Sequence, residues 1–141
     1  MKTIANRLIV FAASAIAFGS VAFGQTRMIA EIPFAFHTVS GTLPAGNYEV
    51  RETSVGAASH VVLLRNTASQ KSAFAGNPTY NAYRKSATGP VLEFVCVERS
   101  CSLKAIRSVN ASLEYATPSR AKDDSNKVAV LTIPVKLVNA D

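Results

Sequence analysis

The stretch IPFAFHTVSGTLPAGNYEVR, residues 32–51, contains two alternating apolar segments on either side of a turn signal. Alternation with a period of two is typical of a strand with one buried face. Between the segments, residues 43–46 read LPAG, with proline and glycine at places where a tight turn favours them. The sequence therefore predicts a strand from Met28 and a second strand after the turn, joined as a hairpin, with apolar positions at Ile32, Phe34, Phe36, Tyr48 and Val50.

Further strand signals follow along the chain. Residues 60–65 form a short continuous apolar run, which favours a buried strand over half a helix at this length. Residues 77–90 and 108–126 contain proline and many small polar side chains and are predicted to be loops, the second with room for one helical turn near Leu113. The predicted strands are residues 60–65 and 72–76, a second hairpin of residues 92–97 and 102–106, and a closing strand of residues 127–137.

The closing strand, KVAVLTIPVKL, is long and apolar. Its odd-numbered residues from Ala129 to Leu137 share one face, and Pro134 has no N–H to donate to a neighbouring strand. We therefore predict an edge strand, or a bulge at Pro134. An edge leaves backbone groups unpaired, and two interpretations stay open. Either these features only cap the sheet, or a partner strand adds there, with Lys127 and Lys136 limiting indiscriminate pairing.

Composition agrees with a single folded domain. The chain has 141 residues, of which 48% are hydrophobic and only 17% charged, so it can bury a core and is not globally disordered. Short strands without a long amphipathic helix predict an all-β fold, a small antiparallel β-sandwich or a partly open β-barrel. The predicted core consists of Ile32, Phe34, Phe36, Tyr48, Val50, Val62, Leu64, Phe94, Leu103, Ile106, Leu131 and Ile133.

The first segment has the layout of a secretory signal peptide. Lys2 and Arg7 precede an apolar stretch that ends in small residues, with Ala22 and Gly24 at the positions required for cleavage. We predict a signal peptide of residues 1–24 and one domain of residues 25–141, which would be periplasmic or extracellular. The mature chain has no predicted transmembrane segment, and the signal peptide takes two basic residues from the net charge of +6.

Residues 32–51 resemble a phrase, "VPFxFxVxxxTLPAGxYxV", carried by a large group of small exported bacterial proteins. In that group a stretch like "VLLRNxxG" follows, matched here by residues 60–67, and then a hairpin introduced by proline, matched by residues 90–106. The hairpin departs from the group where Cys96, Val97, Glu98 and Cys101 replace aromatic and glycine positions. The resemblance implies export and an all-β fold, and because the group has no assigned activity it supplies no functional residue.

The cysteines are predicted to form a disulfide. Cys96 and Cys101 are the only two in the chain, and an exported protein meets an oxidising compartment. If Glu98 and Arg99 form a two-residue turn, the cysteines face each other in a pair without backbone hydrogen bonds, within bridging distance. Four residues separate them rather than two, so we interpret the pair as a structural staple and not a redox centre.

Few residues suggest catalysis or metal binding. The two histidines, His37 and His60, are not placed near the cysteines or near each other by the sequence, and no nucleophile elbow, zinc-protease motif or phosphate loop occurs. We predict no enzyme, no metal and no cofactor. The excess of basic residues is spread along the chain, so nucleic-acid binding is not predicted either.

One loop has the composition of a recognition surface. Tyr80, Tyr83, Arg84 and Lys85 combine rings that stack on sugars with cations that bind anions, although tyrosines can equally cover the edge of a core. Three hypotheses follow: a noncatalytic interaction or structural module of the cell envelope, a carbohydrate or small-ligand binder, and a hydrolase with a dispersed active site. The predicted partner is an envelope protein or a glycan.

Overall fold

The computed structural model describes residues 26–55, 59–117 and 128–138, and within these ranges it contains strands and no helix. The all-β prediction is confirmed, while the predicted signal peptide lies outside the described residues. No helix in the described ranges has the length and hydropathy needed to cross a bilayer. The strands are β1 (Thr26–Ile32), β2 (Phe36–Thr38), β3 (Gly41–Leu43), β4 (Gly46–Val55), β5 (Ser59–Asn66), β6 (Ser72–Phe74), β7 (Thr79–Asn81), β8 (Val91–Val97), β9 (Ser100–Arg107), β10 (Ser112–Glu114) and β11 (Val128–Val138).

These strands form one sheet that curls into an open half-barrel. Their order is β3-β2-β9-β8-β11-β1-β4-β5-β6, with β10 pairing β7 and β9. All pairings are antiparallel except that of β2 with β9, which is parallel. The curled sheet is consistent with both architectures predicted from the sequence, the sandwich and the partly open barrel.

Residues 32–51 contribute strands to two separate parts of the sheet: β2 lies between β3 and β9, whereas β4 lies between β1 and β5. β1 pairs with β4 from Thr26 opposite Glu52 to Ile32 opposite Gly46, so the predicted strands are antiparallel neighbours. The predicted tight turn does not join them, however, because the chain leaves β1 at Pro33 and forms β2 and β3 first. Proline cannot donate a ladder hydrogen bond, and the crossing it begins carries Phe36 to a place beside β9.

An aromatic cluster fills the centre of the core. The ring of Phe36 meets Tyr48 and Phe94 edge to face at centroid distances of 5.4 and 5.3 Å, and Phe34 meets Phe94 at 5.1 Å. The Tyr48 hydroxyl donates to the Pro44 carbonyl at 2.6 Å, which satisfies its one polar group. Edge-to-face contacts of this kind fix the rings relative to one another and so hold β2, β4 and β8 together.

Most of the predicted core is confirmed. Nine of its members are buried, and Phe34 and Ile133 are half-buried against them. Leu131 is wrong, because 39% of it is exposed on β11. The buried residues outside the predicted core are chiefly Met28, Ala30, Ala75, Leu92, Ala105, Leu113, Tyr115 and Val135.

The second predicted hairpin is confirmed, and so is its disulfide. β8 and β9 pair with Cys96 opposite Cys101, and the two sulfur atoms lie 2.02 Å apart. Glu98 in the connecting turn has a φ of 56°, a left-handed conformation that suits a two-residue hairpin turn. Both cysteines are buried, so the bridge forms part of the core.

Both predicted loops contain a short strand. Thr79–Asn81 forms β7 within the first, and Leu113 lies in β10 rather than in a helical turn. These two strands pair with each other, and β10 also pairs with β9, which leaves Leu113 buried. The correction has a tertiary cause: three-residue strands have no periodic signal of their own and form because β9 offers an edge. Residues 118–126 of the second loop lie outside the described residues.

Candidate functional site

The partner of β11 changes at Pro134. Residues 128–134 pair with β8, from Val128 opposite Val97 to Pro134 opposite Val91. From Val135 onward the strand pairs with β1, beginning opposite Ala30. The prediction of an edge strand is therefore wrong for β11 as a whole, which lies between two neighbours. Within the described part of the chain, however, residues 128–133 have a strand on one flank only.

Backbone alternation identifies the groups on the other flank. The Val135 N–H donates to the Pro90 carbonyl at 3.0 Å, toward the β8 side. Because successive residues of a strand point their N–H and C=O in opposite directions, odd-numbered residues of β11 face β8 and even-numbered ones face away. Pro134 is even-numbered, so its missing N–H falls on the flank where pairing with β1 stops. We call the side of residues 128–133 that faces away from β8 the open flank; its backbone donors and acceptors belong to Val128, Val130 and Thr132.

The side chains of residues 128–132 are exposed on both faces of the strand, and Ile133 is half-buried. Val128 and Val130 are 55% and 52% exposed, and Leu131 on the opposite face is 39% exposed. Residues 128–135 contain no charged side chain. Lys136 lies beyond Pro134 on the part of β11 that pairs with β1. The prediction that it limits pairing along the open flank is therefore wrong. Lys127 lies outside the described residues.

A surface groove continues the open flank at the point where β1 and β11 separate. It has a volume of about 410 Å³ and is lined from β1 and its extension by Ile29, Glu31 and Pro33, from β4 by Asn47, and from β11 by Ile133, Pro134 and Lys136. Its walls are mainly apolar, with one acidic and one basic residue among them. We call it the fork groove. A strand that paired with the open flank would end beside it.

A second cavity is lined by residues of β1, β4 and β5 and by residues of β7 and the 108–111 loop. Its lining includes Tyr80, one of the predicted recognition residues. Tyr80 stacks on His60 with ring centroids 5.0 Å apart and planes within 6° of parallel. The His60 Nδ1 atom lies 3.0 Å from the Glu52 carboxylate. We call this cavity the aromatic cleft; its volume is about 400 Å³ and its lining is completed by Met28, Pro90, Ser108, Val109, Asn110, Ala111 and Leu137.

The other predicted recognition residues do not line the aromatic cleft. Tyr83 is 97% exposed, and Lys85 is exposed as well. The Arg84 Nε atom lies 3.8 Å from Oε1 of the half-buried Glu114 carboxylate, an ion pair without a hydrogen bond. Of the four residues, Tyr80 lines the aromatic cleft and the other three lie outside it on the surface, so their role in recognition stays a prediction.

Charge and protonation limit what the aromatic cleft can do. Glu52 is the one acidic residue among its described lining residues, and no lysine or arginine lines it. Tyr115 is not part of this lining and belongs to a separate cavity beside Ala75 and Leu103. Burial raises the pKa of its phenol far above the usual value, and the charge of Glu52 raises it further. Tyr115 therefore stays protonated at neutral pH and cannot serve as a base there.

Two other partly buried carboxylates, Glu93 and Glu49, are held in hydrogen-bonded ion pairs. Arg107 donates to both oxygens of Glu93, at 2.5 and 2.9 Å, and this hydrogen bonding lowers the pKa of Glu93. Hydrogen bonding from Arg51, and then from Arg27, likewise lowers the pKa of Glu49. Both carboxylates stay ionised and tie neighbouring strands together, so neither is available as a general acid at neutral pH.

The two histidines have separate local partners. His37 lies on β2, with its Nδ1 atom 2.8 Å from the Thr42 hydroxyl on β3, while His60 contacts Glu52 as described above. Among the residues that the structure describes, no group of three or more His, Cys, Asp or Glu side chains is placed to hold a metal ion.

Sequence reasoning missed the pairing of Glu52 with His60. The register sets Ser54 opposite His60, so the carboxylate and the imidazole meet diagonally across β4 and β5. Either residue alone reads as an ordinary polar position, and the signal appears only once the strand register is known.

No family model, curated protein or solved structure matches this chain.

Proposed function

We propose that this protein is an exported, noncatalytic interaction module that binds an extended segment of an envelope protein along the open flank of β11. The observation that supports it is the state of residues 128–133: an uncharged strand with a neighbour on one flank only among the described residues, exposed on both faces as far as Thr132. This surface requires no catalytic group, in agreement with a chain whose described carboxylates are mostly paired.

Strand addition explains how such a surface gains affinity. An incoming extended segment pairs its backbone with the outward N–H and C=O groups of Val128, Val130 and Thr132, which supplies most of the binding. Pockets for side chains supply selectivity, and the fork groove at Ile133 and Pro134 provides one beside the end of the flank. An apolar residue near the end of the bound segment fits that groove.

Export is part of the proposal. The signal-peptide pattern of residues 1–24 and the resemblance of residues 32–51 to exported proteins support it, and so does a buried disulfide, which persists in oxidising compartments. Mass analysis of the protein recovered from expressing cells tests it. We expect a chain that begins at Gln25 with two fewer thiol hydrogens than the reduced form, whereas a chain that retains residues 1–24 would overturn export by this route.

A proline substitution tests the binding surface. Val130→Pro removes an N–H that faces the open flank and leaves the pairing with β8 intact, so it should abolish capture of envelope partners. Val130→Thr is the matched control, because it keeps both the backbone donor and the β-branched shape. A variant with Tyr80→Ala and Tyr83→Ala should capture partners normally. Capture that survives Val130→Pro and is lost in the tyrosine variant would move the binding surface to the aromatic cleft.

The aromatic cleft supports a second candidate function, the binding of a neutral saccharide. Its volume lies within the range of small-ligand sites, and it combines an exposed tyrosine ring with carboxylate, amide and hydroxyl groups from Glu52, Asn110 and Ser108. The absence of a described lysine or arginine in its lining disfavours acidic polymers. Titration with neutral and acidic oligosaccharides tests this: binding of the neutral ones that Tyr80→Ala removes supports it, and equal binding by the variant contradicts it.

A further inference from the structure

The backbone groups of the open flank are complementary to themselves. Val128, Val130 and Thr132 each direct one N–H and one C=O away from β8, at even spacing along the strand. An antiparallel copy of the same segment presents the same groups in reverse order. The flank therefore meets its own hydrogen-bonding pattern when it is rotated by half a turn.

We propose that the strand that occupies the open flank is β11 of a second copy of this chain, paired antiparallel about a twofold axis at Val130. This inference rests on the proposed function, because it names the partner of the same surface. The pairing would join β8 and β11 of one copy to β11 and β8 of the other in a continuous sheet.

The position of Pro134 selects the register. With the axis at Val130, Val128 lies opposite Thr132 of the second copy, and every outward N–H faces an outward C=O. With the axis moved to Leu131, Val128 lies opposite Pro134, which has no N–H to donate. The register centred on Val130 is therefore the one that uses all the backbone groups of the flank.

The side chains across the axis are compatible. The cross-strand pairs are valine with valine, alanine with leucine and valine with threonine, and β-branched and apolar pairs of this kind favour adjacent strands. Residues 128–135 contain no charge, so two copies bring no like charges together along the flank. Among the described strands, the other outer ones, β3, β6 and β7, have three residues each and offer no comparable length.

The size of the contact sets its strength. Stable complexes bury roughly 1,600 Å² in total, and one strand-to-strand joint buries less than that. We therefore expect a reversible dimer that forms as the concentration rises. Such a weak joint is suited to assembly on a surface, where several copies are held close together.

Charge substitutions at the axis test the proposal by sedimentation equilibrium of the protein purified from cells that express the full chain. Val130→Lys places two ammonium groups opposite each other, and Val130→Glu places two carboxylates there. Each variant alone should associate about tenfold more weakly than wild type or worse, and an equimolar mixture of the two should recover association. Leu137→Lys is the control, because Leu137 is as exposed as Val128 but lies on the half of β11 that pairs with β1; it should associate like wild type.

Cysteine substitutions give an independent measure of the register. The two Val130 Cα atoms would lie about 5.5 Å apart, within disulfide range, so Val130→Cys should form a covalent dimer under oxidation. Ala129→Cys should not, because Ala129 faces Leu131 of the other copy. Equal cross-linking at both positions, or failure of the lysine and glutamate variants to recover association when mixed, would overturn the twofold pairing.

The dimer and the capture of envelope partners can be disproved separately. Wild-type protein that stays monomeric at every concentration, while Val130→Pro still abolishes capture of envelope partners, overturns the dimer and leaves strand capture standing. Association and capture that are both unaffected by Val130→Pro overturn both. Circular dichroism of each variant at the assay temperature is the control for folding, and each spectrum should match that of wild type.

Discussion

β8 and the first half of β11 are neighbouring strands of similar apolar content, but only β8 is covered. Phe94 on β8 lies opposite Leu131 on β11, yet Phe94 is fully buried and Leu131 is 39% exposed. β8 has β9 on its other flank, a disulfide to that strand, and the rings of Phe34 and Phe36 packed against Phe94. Residues 128–133 have no comparable cover among the described residues. An apolar composition therefore shows that a strand can be buried. Whether it is buried depends on the strands and side chains that pack beside it.

The largest difference between the two strands should appear on truncation of the facing pair. Phe94→Ala removes a ring from the centre of the aromatic cluster and should lower the free energy of unfolding by about 3–5 kcal/mol. Leu131→Ala should lower it by only about 1 kcal/mol, because 39% of that residue is already exposed. Urea unfolding of both variants measures the contrast, and similar losses would mean that residue 131 is covered in the folded protein.

A pair of adjacent proline substitutions sharpens the comparison within β11. The Leu131 N–H faces β8, so Leu131→Pro should destabilise the fold by roughly 3 kcal/mol through the lost ladder bond and ring crowding. Val130→Pro should cost much less, because the Val130 N–H faces the open flank. Thermal unfolding of the two variants tests the alternation, and a larger loss for Val130→Pro would reverse the assignment of the flanks.

Removal of the disulfide should have a smaller effect. The bridge closes a loop with a sequence separation of 5, and by the chain-entropy estimate it stabilises the fold by about 2 kcal/mol at most. Reduction should therefore soften the protein without unfolding it, as followed by urea titration with and without reductant. Complete unfolding on reduction would show that β8 depends on the bridge rather than on its neighbours.

The smallest effect concerns Glu93, which lies opposite Thr132 across the joint between the two strands. Hydrogen bonding from Arg107 holds the pKa of Glu93 below the ordinary value of 4.5. The stabilisation from the Glu93–Arg107 pair is therefore fully present above pH 4.5 and is lost as the pH falls through the lower pKa of Glu93 in the folded protein. Glu93→Gln should lower stability at neutral pH and flatten the decline at acid pH, as measured by unfolding at a series of pH values. If the stability of Glu93→Gln falls with acid as steeply as that of wild type, the Glu93–Arg107 pair does not stabilise the fold.

Much of the fold follows from local sequence patterns. Period-two alternation located most of the long strands, and the spacing of Cys96 and Cys101 across a two-residue turn predicted their pairing. Patterns did not reveal β7 or β10, because strands of three residues form only where a neighbouring edge is supplied. They also placed one strand through Pro33, where the chain instead crosses from β1 to β2.

The candidate surface was only partly predictable. Pro134 correctly marked a limit to pairing, but the sequence could not show that β11 has one partner before that residue and another after it. Whether Leu131 is buried depends on the strands beside it, which are distant in sequence. The aromatic cleft was less predictable still, since Glu52, His60 and Tyr80 come together only through the register of β4 with β5 and the placement of β7.

Residue-resolved amide hydrogen exchange along β11 tests most directly the claim that its first half has an open flank. In dilute protein, the amides of Ala129, Leu131 and Ile133 should be protected by β8, while those of Val128, Val130 and Thr132 should exchange rapidly. Raising the concentration, or adding a captured partner segment, should protect the second set. Equal protection of all six amides in dilute protein would mean that the flank is already covered, and would contradict the account.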